Sequence, residues 1–450
     1  MTFIDSKRER TSDKILNEAL LPVRQLLPIS DVEACCRRLG HGWRDRVYNP
    51  MVTLLVCVWK HLQPDRVSAR ATEDFAQSLM GPAAHSGTRD GKDFCAARAR
   101  LPAPVFKWAS EHTGSLAHRL GAHVYRGLTA VLVDGTTLRT ANSPALEKRF
   151  GRSRNAVRES RSPLMRMVLL VCAGCGAVLN TSIGAYADSE HALFMPLLMR
   201  LASSQLLIAD AGYASFVLLS LVRWRQSHFL VRVSSRVLKI KKQMLGHRDD
   251  VREWKRPAPS QSAWAALLPL LSATLDVRVI ERQIVRAGYR TWTLRIATSL
   301  LDPERYPAGE LVELYLRRWR IETGLRTLKT HGHMARLTGK TPDIACKEVY
   351  CTVLAHNCVC ALMAQSGEAP ELLSTKRARE IAMTYAGHMA FAPTLRLPGL
   401  FKEMLKMIAT ALQLPQERGP DPRAIVQRPS TFPVLMTSRG EWKLKQIGVN

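Results

Sequence analysis

Long apolar runs are missing from this sequence: no stretch reaches the roughly 20 uninterrupted residues that a membrane span needs. The first residues, MTFIDSKRERTSDK, are too polar and charged for a secretory signal. Cysteine is scarce, at 10 of 450 residues, which excludes a disulfide framework and favours the reducing cytoplasm. The C-x-x-C at Cys172 and Cys175 has no second pair at zinc-ribbon spacing, so the cysteines are predicted to be small core residues.

Acidic residues are few relative to basic ones. The chain has 65 Lys and Arg against 38 Asp and Glu, which gives a formal net charge of +27 at pH 7. An excess this large repels itself unless a polyanion neutralises it, and nucleic acid is the first candidate. The alternative is a basic surface without such a partner. The composition, 46% hydrophobic and 23% charged, is that of a folded protein with a large core.

The first 120 residues carry apolar residues at helical spacing, for example in residues 16–27 and 49–62. Basic residues recur through the second half of this segment: Arg98, Arg100, Lys107 and Arg119. Residues 1–120 are therefore predicted to be a helical N-terminal domain. Two roles fit it, a small DNA-binding domain or a helical packing domain with a solvated basic face, because no base-reading motif is recognisable.

Strands and helices are predicted to follow one another through residues 121–235. The strand GLTAVLVDG (127–135) is expected to end at the turn signal Asp134-Gly135, and two further strands follow, joined at Gly174–Gly176. Then come a helix, the strand QLLIADAGYA that ends at Asp210, a second helix and a last strand. Two carboxylates that follow strands of one sheet suit a hard cation such as Mg²⁺. Each Asp could also be an ordinary turn residue.

The pattern changes at residues 236–305, which begin with a polar, basic segment and end with two alternating runs around Ala287-Gly288. This stretch is predicted to be a β-rich insertion. Residues 306–365 return to helix, with a long amphipathic helix after Pro307, and residues 366–450 are predicted to be a helical region with a loose tail.

The helix after Pro307 carries a chemically mixed face. Four residues at offsets of 0, 3, 7 and 14 fall within roughly a 60° arc: Tyr315, Arg318, Glu322 and Lys329. The carboxylate could complete a metal site, and the cations could hold phosphates. The alternative is a solvated charged face on which Glu322 simply pairs with Arg318 and Arg326.

Three blocks of the sequence carry a family resemblance: VDGTTLRTANSPALEKRFG (133–151), IADAGYASFVLL (208–219) and YLRRWRIETGLRTLK (315–329). Together they resemble the bacterial insertion-sequence DDE transposases of the IS-four family, and the third block fits that family's Y-R-E-K signature in full. The runs WRDRVYNPMVTLLVCVWK and CAARARLP also resemble the family's N-terminal domain. One departure is Ala211, where a basic residue is common, which weakens the expectation of a phosphate contact there.

The resemblance implies an α/β fold: an RNase H-like mixed sheet flanked by helices, with a β-rich insertion before the last catalytic helix and a helical N-terminal domain. It implies three catalytic metal ligands: Asp134, Asp210 and Glu322. These would bind two Mg²⁺ ions, for which Mn²⁺ can substitute. It implies phosphate contacts from the other signature residues: Tyr315, Arg318 and Lys329.

In the family, the insertion can carry a tryptophan that stacks on a base flipped during hairpin formation. Three tryptophans are candidates: Trp254, Trp264 and Trp292. Trp292 is preferred because it lies in the alternating stretch, although any of the three could instead be a core residue.

The implied reaction is DNA transposition. Water attacks a phosphodiester at the end of the element, and the freed 3′-hydroxyl then attacks the opposite strand or target DNA; both steps are in-line displacements at phosphorus. The expected partners are double-stranded DNA, as terminal inverted repeats and as target, and a second copy of the chain on paired ends. The expected location is the nucleoid of the bacterial cytoplasm. Three alternatives remain: a metal nuclease of the same fold without strand transfer, a catalytically inactive repressing copy, and a plain basic DNA-binding module.

Overall fold

The computed structural model describes most of the chain. The described residues are 26–44, 47–63, 67–68, 70–74, 91–153, 160–234, 240–262, 264–285, 291–330, 334, 336–413, 441 and 444. Within these ranges, the side chains left undescribed are those of residues 261, 319–327, 329–330, 390–391 and 394. The chain divides into two compact units, Met1–Ile280 with Arg295–Gln413, and Glu281–Leu294 with Leu414–Asn450.

The described part contains ten strands and eleven α-helices. The strands are β1 Val124–Tyr125, β2 Leu128–Arg139, β3 Leu164–Cys172, β4 Val178–Ala185, β5 Gln205–Ala209, β6 His228–Arg232, β7 Ile240–Gly246, β8 Asp249–Lys255, β9 Thr274–Ile284 and β10 Trp292–Thr298. The helices are α1 Ile29–Arg38, α2 Pro50–Leu62, α3 Lys92–Arg100, α4 Ala103–Gly121, α5 Pro144–Phe150, α6 Glu190–Leu198, α7 Phe216–Trp224, α8 Ala308–Thr330, α9 Pro342–Gln365, α10 Thr375–Phe391 and α11 Leu397–Ala409.

The strands form one mixed sheet in the order β4-β3-β2-β5-β6-β10-β9-β8-β7, with β1 beside β2. Strands β2, β3 and β4 are an antiparallel meander, whereas β5 and β6 run parallel to β2. Helix α6 connects β4 to β5, and α7 connects β5 to β6. Three antiparallel strands followed by two parallel strands that are reached through helices is the RNase H-like arrangement, so the predicted fold class is confirmed.

The two strands expected in the insertion are present as β9 and β10, and two further strands, β7 and β8, lie in the polar, basic segment where no strand was predicted. Strand β10 pairs antiparallel with β6, so these strands extend the central sheet instead of forming a sheet of their own. Helix α8 follows at once and is the long helix predicted after Pro307.

Helix α9 is buried along most of its length in the first unit. Its apolar side chains share one hydrophobic cluster with helices α1–α4 and with the central strands. Within the cluster, the Asn357 side chain donates to the carbonyls of Ser110 and Val178 and accepts from the N–H of Val178, each at 2.8 Å. A Cβ at Gly114 would collide with the Val178 carbonyl, so glycine allows α4 to approach β4 this closely.

One sequence prediction about the central strand is wrong. The Asp134-Gly135 pair is not a turn, because β2 continues through it to Arg139 and pairs with Leu169 and Val168 of β3. A turn signal is weak evidence where a neighbouring strand can continue the hydrogen-bond ladder. Asp210, in contrast, directly follows β5, as predicted.

Several other predicted elements are confirmed. Ser189 caps α6 by accepting from the N–H of Ala192 at 3.1 Å, as its N-cap pattern predicts. Helix α10 lies in the region 366–450 that is predicted to be helical, although no individual run within it predicts this helix. Residues 16–25 of the first predicted helix and the predicted tail at 415–433 lie outside the described residues.

Eight of the ten cysteines are buried and two are half-buried, and all ten are free thiols, which fits their prediction as small core residues. No helix in the described part of the chain is long and apolar enough to span a membrane.

A buried ion pair ties the insertion to the start of α8. Arg278 on β9 is fully buried and forms a bidentate pair with Asp249 on β8, with Nε–Oδ1 and Nη2–Oδ2 distances of 2.8 and 2.5 Å. Its remaining nitrogen, Nη1, donates to the carbonyl of Tyr306 at 2.7 Å, just before α8 begins. The position of α8 therefore depends on a charge that has no access to water.

Asp249→Ala should lower the free energy of unfolding by about 3–5 kcal/mol, because it leaves the Arg278 guanidinium buried and unpaired. Lys242→Ala is the matched control, since Lys242 on β7 pairs with Asp276 on β9 at 2.8 Å on the exposed surface of the same sheet. That change should cost less than about 1 kcal/mol. Denaturant unfolding of both variants measures the difference, and equal losses would contradict this account of the buried pair.

Candidate active site

The two aspartates lie at the same level on neighbouring parallel strands. Leu132 of β2 is in register with Ile208 of β5, and each aspartate lies two residues further on. Because side chains alternate along a strand, Asp134 and Asp210 point to the same face of the sheet as Leu132 and Ile208. Adjacent strands are about 4.8 Å apart, so the two carboxylates are neighbours.

Asp210 is held by the turn that follows it. Its Oδ1 accepts a hydrogen bond from the N–H of Gly212 at 2.8 Å, and residues 211–213 form one turn of 3₁₀-helix. Tyr213 at the end of this turn is buried, with 2% of its surface exposed. Burial raises the pKa of Tyr213, and the negative charges of Glu190, Asp134 and Asp210 raise it further. Tyr213 therefore lies within electrostatic reach of both aspartates.

Helix α8 brings a phenol and a guanidinium to the same region. Tyr315 is buried, and the guanidinium carbon of Arg318 lies 5.7 Å from the centre of its ring. Burial raises the pKa of Tyr315, the positive charges of Arg318 and Arg232 oppose that shift, and Asp210 adds to it. The structure thus brings Tyr315 and Arg318 near Asp210.

The remaining two signature residues lie on α8, but their side chains are outside the described residues. They are Glu322 and Lys329. Helical geometry alone puts their backbone positions on the same helix face as Tyr315. The arrangement of a third carboxylate beside the two aspartates stays a prediction.

The tryptophan candidates differ in their surroundings. Trp254 packs edge-on against Phe216 with ring centres 6.2 Å apart, and Trp254 and Trp264 both contact a small hydrophobic cluster beneath α7. Trp292 begins β10 in the second unit and is half-buried. The packing of Trp254 and Trp264 favours core roles for both, so Trp292 stays the candidate for DNA stacking.

Sequence reasoning missed three charged or polar residues near the aspartates: Glu190, Tyr213 and Arg232. Glu190 is the first residue of α6, Tyr213 ends the turn after Asp210, and Arg232 ends β6. Their only sequence signal is that each lies close to a strand end or a helix start near a predicted site residue. Such proximity does not separate them from ordinary turn and surface residues.

The donors at this site fit a divalent cation, because Asp134 and Asp210 offer hard carboxylate oxygens. Among the side chains that the structure describes, no group of three acidic, histidine or cysteine residues is arranged to hold a metal ion. Two carboxylates therefore form an incomplete set, which a residue such as Glu322 would complete. Carboxylates beside a guanidinium and a buried phenol are suited to phosphoryl transfer, since the anions hold metal and the cation attracts phosphate.

Comparisons with known proteins agree with this chemistry. A family model described as "Transposase DDE domain" matches residues 125–358, which is just over half of the chain. The transposase InsG for insertion sequence element IS4 of Escherichia coli (strain K12) is 27% identical over 350 residues, or 75% of this chain and 76% of that protein. A cryo-EM structure of the piggyBac transposase synaptic complex with hairpin DNA is similar at a TM-score of 0.40 and 12% identity, covering 90% of this chain and 88% of that one.

The family match and the relative indicate a DNA-cleaving and strand-transferring enzyme, and the sheet gives it an RNase H-like core. The chain belongs to the DDE transposases, within the IS4 family that the Y-R-E-K signature predicted. It is a DNA transposase, and its family generally uses divalent metal ions.

Arg318→Ala should lower DNA cleavage and reduce the slope of log affinity against log salt by about one unit, as expected when one phosphate contact is lost. The matched control is Arg317→Ala, because Arg317 is the neighbouring exposed residue on α8, about 100° around the helix from half-buried Arg318. Cleavage by the control should stay close to that of the unchanged protein. Equal losses in a gel-based cleavage assay would mean that the helix face is assigned wrongly.

Proposed function

We propose that this transposase cuts the ends of an insertion sequence and joins them to target DNA at one site formed by Asp134, Asp210 and Glu322. The observation that supports the proposal most strongly is the register of β2 and β5, which makes Asp134 and Asp210 neighbours beside the helix that carries the Y-R-E-K signature. One site serves both steps because cutting and joining are each in-line displacements at phosphorus.

The three carboxylates would hold two Mg²⁺ ions, with Mn²⁺ as a substitute. Bound there, the ions supply charge stabilisation for the attacking and leaving oxygens of the displacement. The protein's own part is to fix the carboxylates on rigid elements: β2 for Asp134, the end of β5 for Asp210 and α8 for Glu322.

Tyr315, Arg318 and Lys329 would position the scissile strand by contacts to its phosphates. Arg318 is suited to this role because its planar guanidinium matches the geometry of phosphate oxygens. The guanidinium also packs over the ring of Tyr315. Trp292 would stack on a displaced base. Arg232, whose charge acts on Tyr315, would be a further cation near the same phosphates.

The DNA partners would be the terminal inverted repeats of the element and a target duplex, in the nucleoid of a bacterial cytoplasm. Two ends must be cut together, so the active assembly would be a homodimer on paired ends. We assign residues 1–120 to a helical DNA-binding or accessory domain, 121–235 and 306–365 to the catalytic core, 236–305 to the insertion and 366–450 to a C-terminal helical region.

Asp134→Asn, Asp210→Asn and Glu322→Gln should each abolish Mg²⁺-dependent cleavage and leave binding to element ends nearly unchanged. Each variant keeps the shape of the side chain and removes the charge that the ions require. Cleavage of a labelled end duplex and a gel-shift assay measure the two properties. Cleavage at the unchanged rate by any one variant would remove that residue from the metal site.

A strand-transfer assay separates a transposase from a nuclease that only cuts. Pre-cut ends with a free 3′-hydroxyl should be joined to a supercoiled plasmid in the presence of Mg²⁺, without any energy cofactor. Ends that are cut but never joined would favour the nuclease, and ends that are bound but neither cut nor joined would favour a repressing copy.

Binding to DNA of any sequence should weaken steeply as salt rises, because a chain of net charge +27 gains affinity by releasing counterions from DNA. Fluorescence anisotropy with an unrelated duplex between 50 and 200 mM salt should show a loss of about 10³-fold or more if six or more phosphates are contacted. An affinity that does not change with salt would contradict the role given to the basic surface.

A further inference from the structure

We propose that the first turn of helix α6 is a clamp that sets the two aspartates relative to each other, with Glu190 and His191 as positioning residues. Glu190 reaches β2 next to Asp134, and His191 reaches the turn that holds Asp210. The proposal rests on the catalytic site proposed above and adds two residues outside the Y-R-E-K signature to it.

Glu190 lies directly against the backbone of β2 at Gly135. A Cβ added to Gly135 would lie 2.5 Å from the Glu190 carboxyl carbon and 2.6 and 2.8 Å from its two oxygens. Glycine therefore follows Asp134 because its missing side chain leaves room for this carboxylate. The contact fixes the distance between the start of α6 and the strand that carries Asp134.

His191 fixes the second aspartate through the backbone. Its Nε2–H donates to the carbonyl of Gly212 at 2.5 Å. The N–H of that same Gly212 donates to Asp210 Oδ1 at 2.8 Å. One residue, Gly212, thus separates the imidazole from the carboxylate, so movement of the imidazole would be passed to Asp210.

Phe194, one helical turn further along α6, completes the contact. It packs edge-on against Tyr213 with ring centres 5.3 Å apart, and the His191 ring lies 6.0 Å from the same tyrosine. Burial raises the pKa of Tyr213, and the charges of Glu190, Asp134 and Asp210 raise it further, so all three carboxylates lie within electrostatic reach of this tyrosine. The helix start itself is fixed by the Ser189 cap.

Mg²⁺ binds tightly only when its ligands have nearly ideal octahedral geometry. Loss of a residue that orients metal ligands therefore typically lowers metal affinity or activity 10- to 100-fold. Loss of the clamp should therefore weaken metal binding and leave the fold and DNA binding intact. A residue with a merely structural role would lower the melting temperature without changing which metal is preferred.

The test compares His191→Ala, His191→Gln and Glu190→Ala. His191→Ala and Glu190→Ala should raise the Mg²⁺ concentration for half-maximal cleavage by about 10- to 100-fold. They should also raise the ratio of Mn²⁺-supported to Mg²⁺-supported cleavage. His191→Gln, which keeps a side-chain N–H donor, should stay within about three-fold of the unchanged protein. Calorimetric titration of Mn²⁺ into each protein gives the affinity without reference to activity.

Gly135→Ala tests the contact between Glu190 and β2 from the side of the strand, without shortening a side chain of α6. Its Cβ should push the Glu190 carboxylate away and reproduce the Glu190→Ala effect on metal dependence. In the double variant Gly135→Ala/Glu190→Ala the two effects should not add, because both remove one contact. Additive losses would contradict the clamp.

Two controls carry the same chemical changes on exposed residues of α10, Glu380→Ala and His388→Ala. Both should leave the metal dependence unchanged. The clamp is overturned if His191→Ala and Glu190→Ala show the metal affinity and Mn²⁺ preference of the unchanged protein. Asp134→Asn is run in parallel: full cleavage by that variant would overturn the proposed function, whereas its inactivity beside unaffected clamp variants would overturn the clamp alone.

Discussion

The parallel register of β2 with β5 is the constraint on which the catalytic centre depends. Val131, Val133 and Leu207 face a buried hydrophobic cluster, so the aspartates that alternate with them must face the other side. A one-residue slip of β5 would turn Asp210 into that cluster. Burying an unpaired carboxylate in that cluster would cost several kcal/mol, whereas two carboxylates about 5 Å apart repel by about 3 kcal/mol at an effective dielectric of 20. Burial on one face thus holds two repelling charges in place on the other.

The dipeptide Asp134-Gly135 can be interpreted in two ways. Asp-Gly is usually a turn signal because both residues adopt turn conformations readily. Here Gly135 lies within a strand, and a glycine is needed because the Glu190 carboxylate occupies the space that a Cβ would fill. Gly114 has the same role where α4 meets β4. Steric reasons of this kind involve residues far apart in sequence, so local patterns do not reveal them.

Much of the fold could be predicted because hydrophobic periodicity and caps are local. The strands of 165–185 and the Ser189 cap needed only neighbouring residues to recognise. That Asp210, Tyr315 and Arg318 lie close together was predictable from the position of Asp210 after a strand and from the residue spacing on α8. Helix α10 was missed because its apolar residues are interrupted by Lys and Arg. Glu190 and Tyr213 could not be predicted, since their importance depends on tertiary contacts with β2 and α6.

Positive charge on the surface of this molecule and negative charge at its proposed active site have different roles. The basic surface attracts DNA over distances up to the Debye length of about 8 Å at physiological ionic strength. At short range the balance would reverse, because Asp134 and Asp210 would repel the phosphate that is to be cut at the proposed site. Divalent cations held by the carboxylates would remove this conflict by neutralising them. On the proposed mechanism, the chain could bind DNA through its basic residues without cutting it, and cleavage would require cations at the two aspartates.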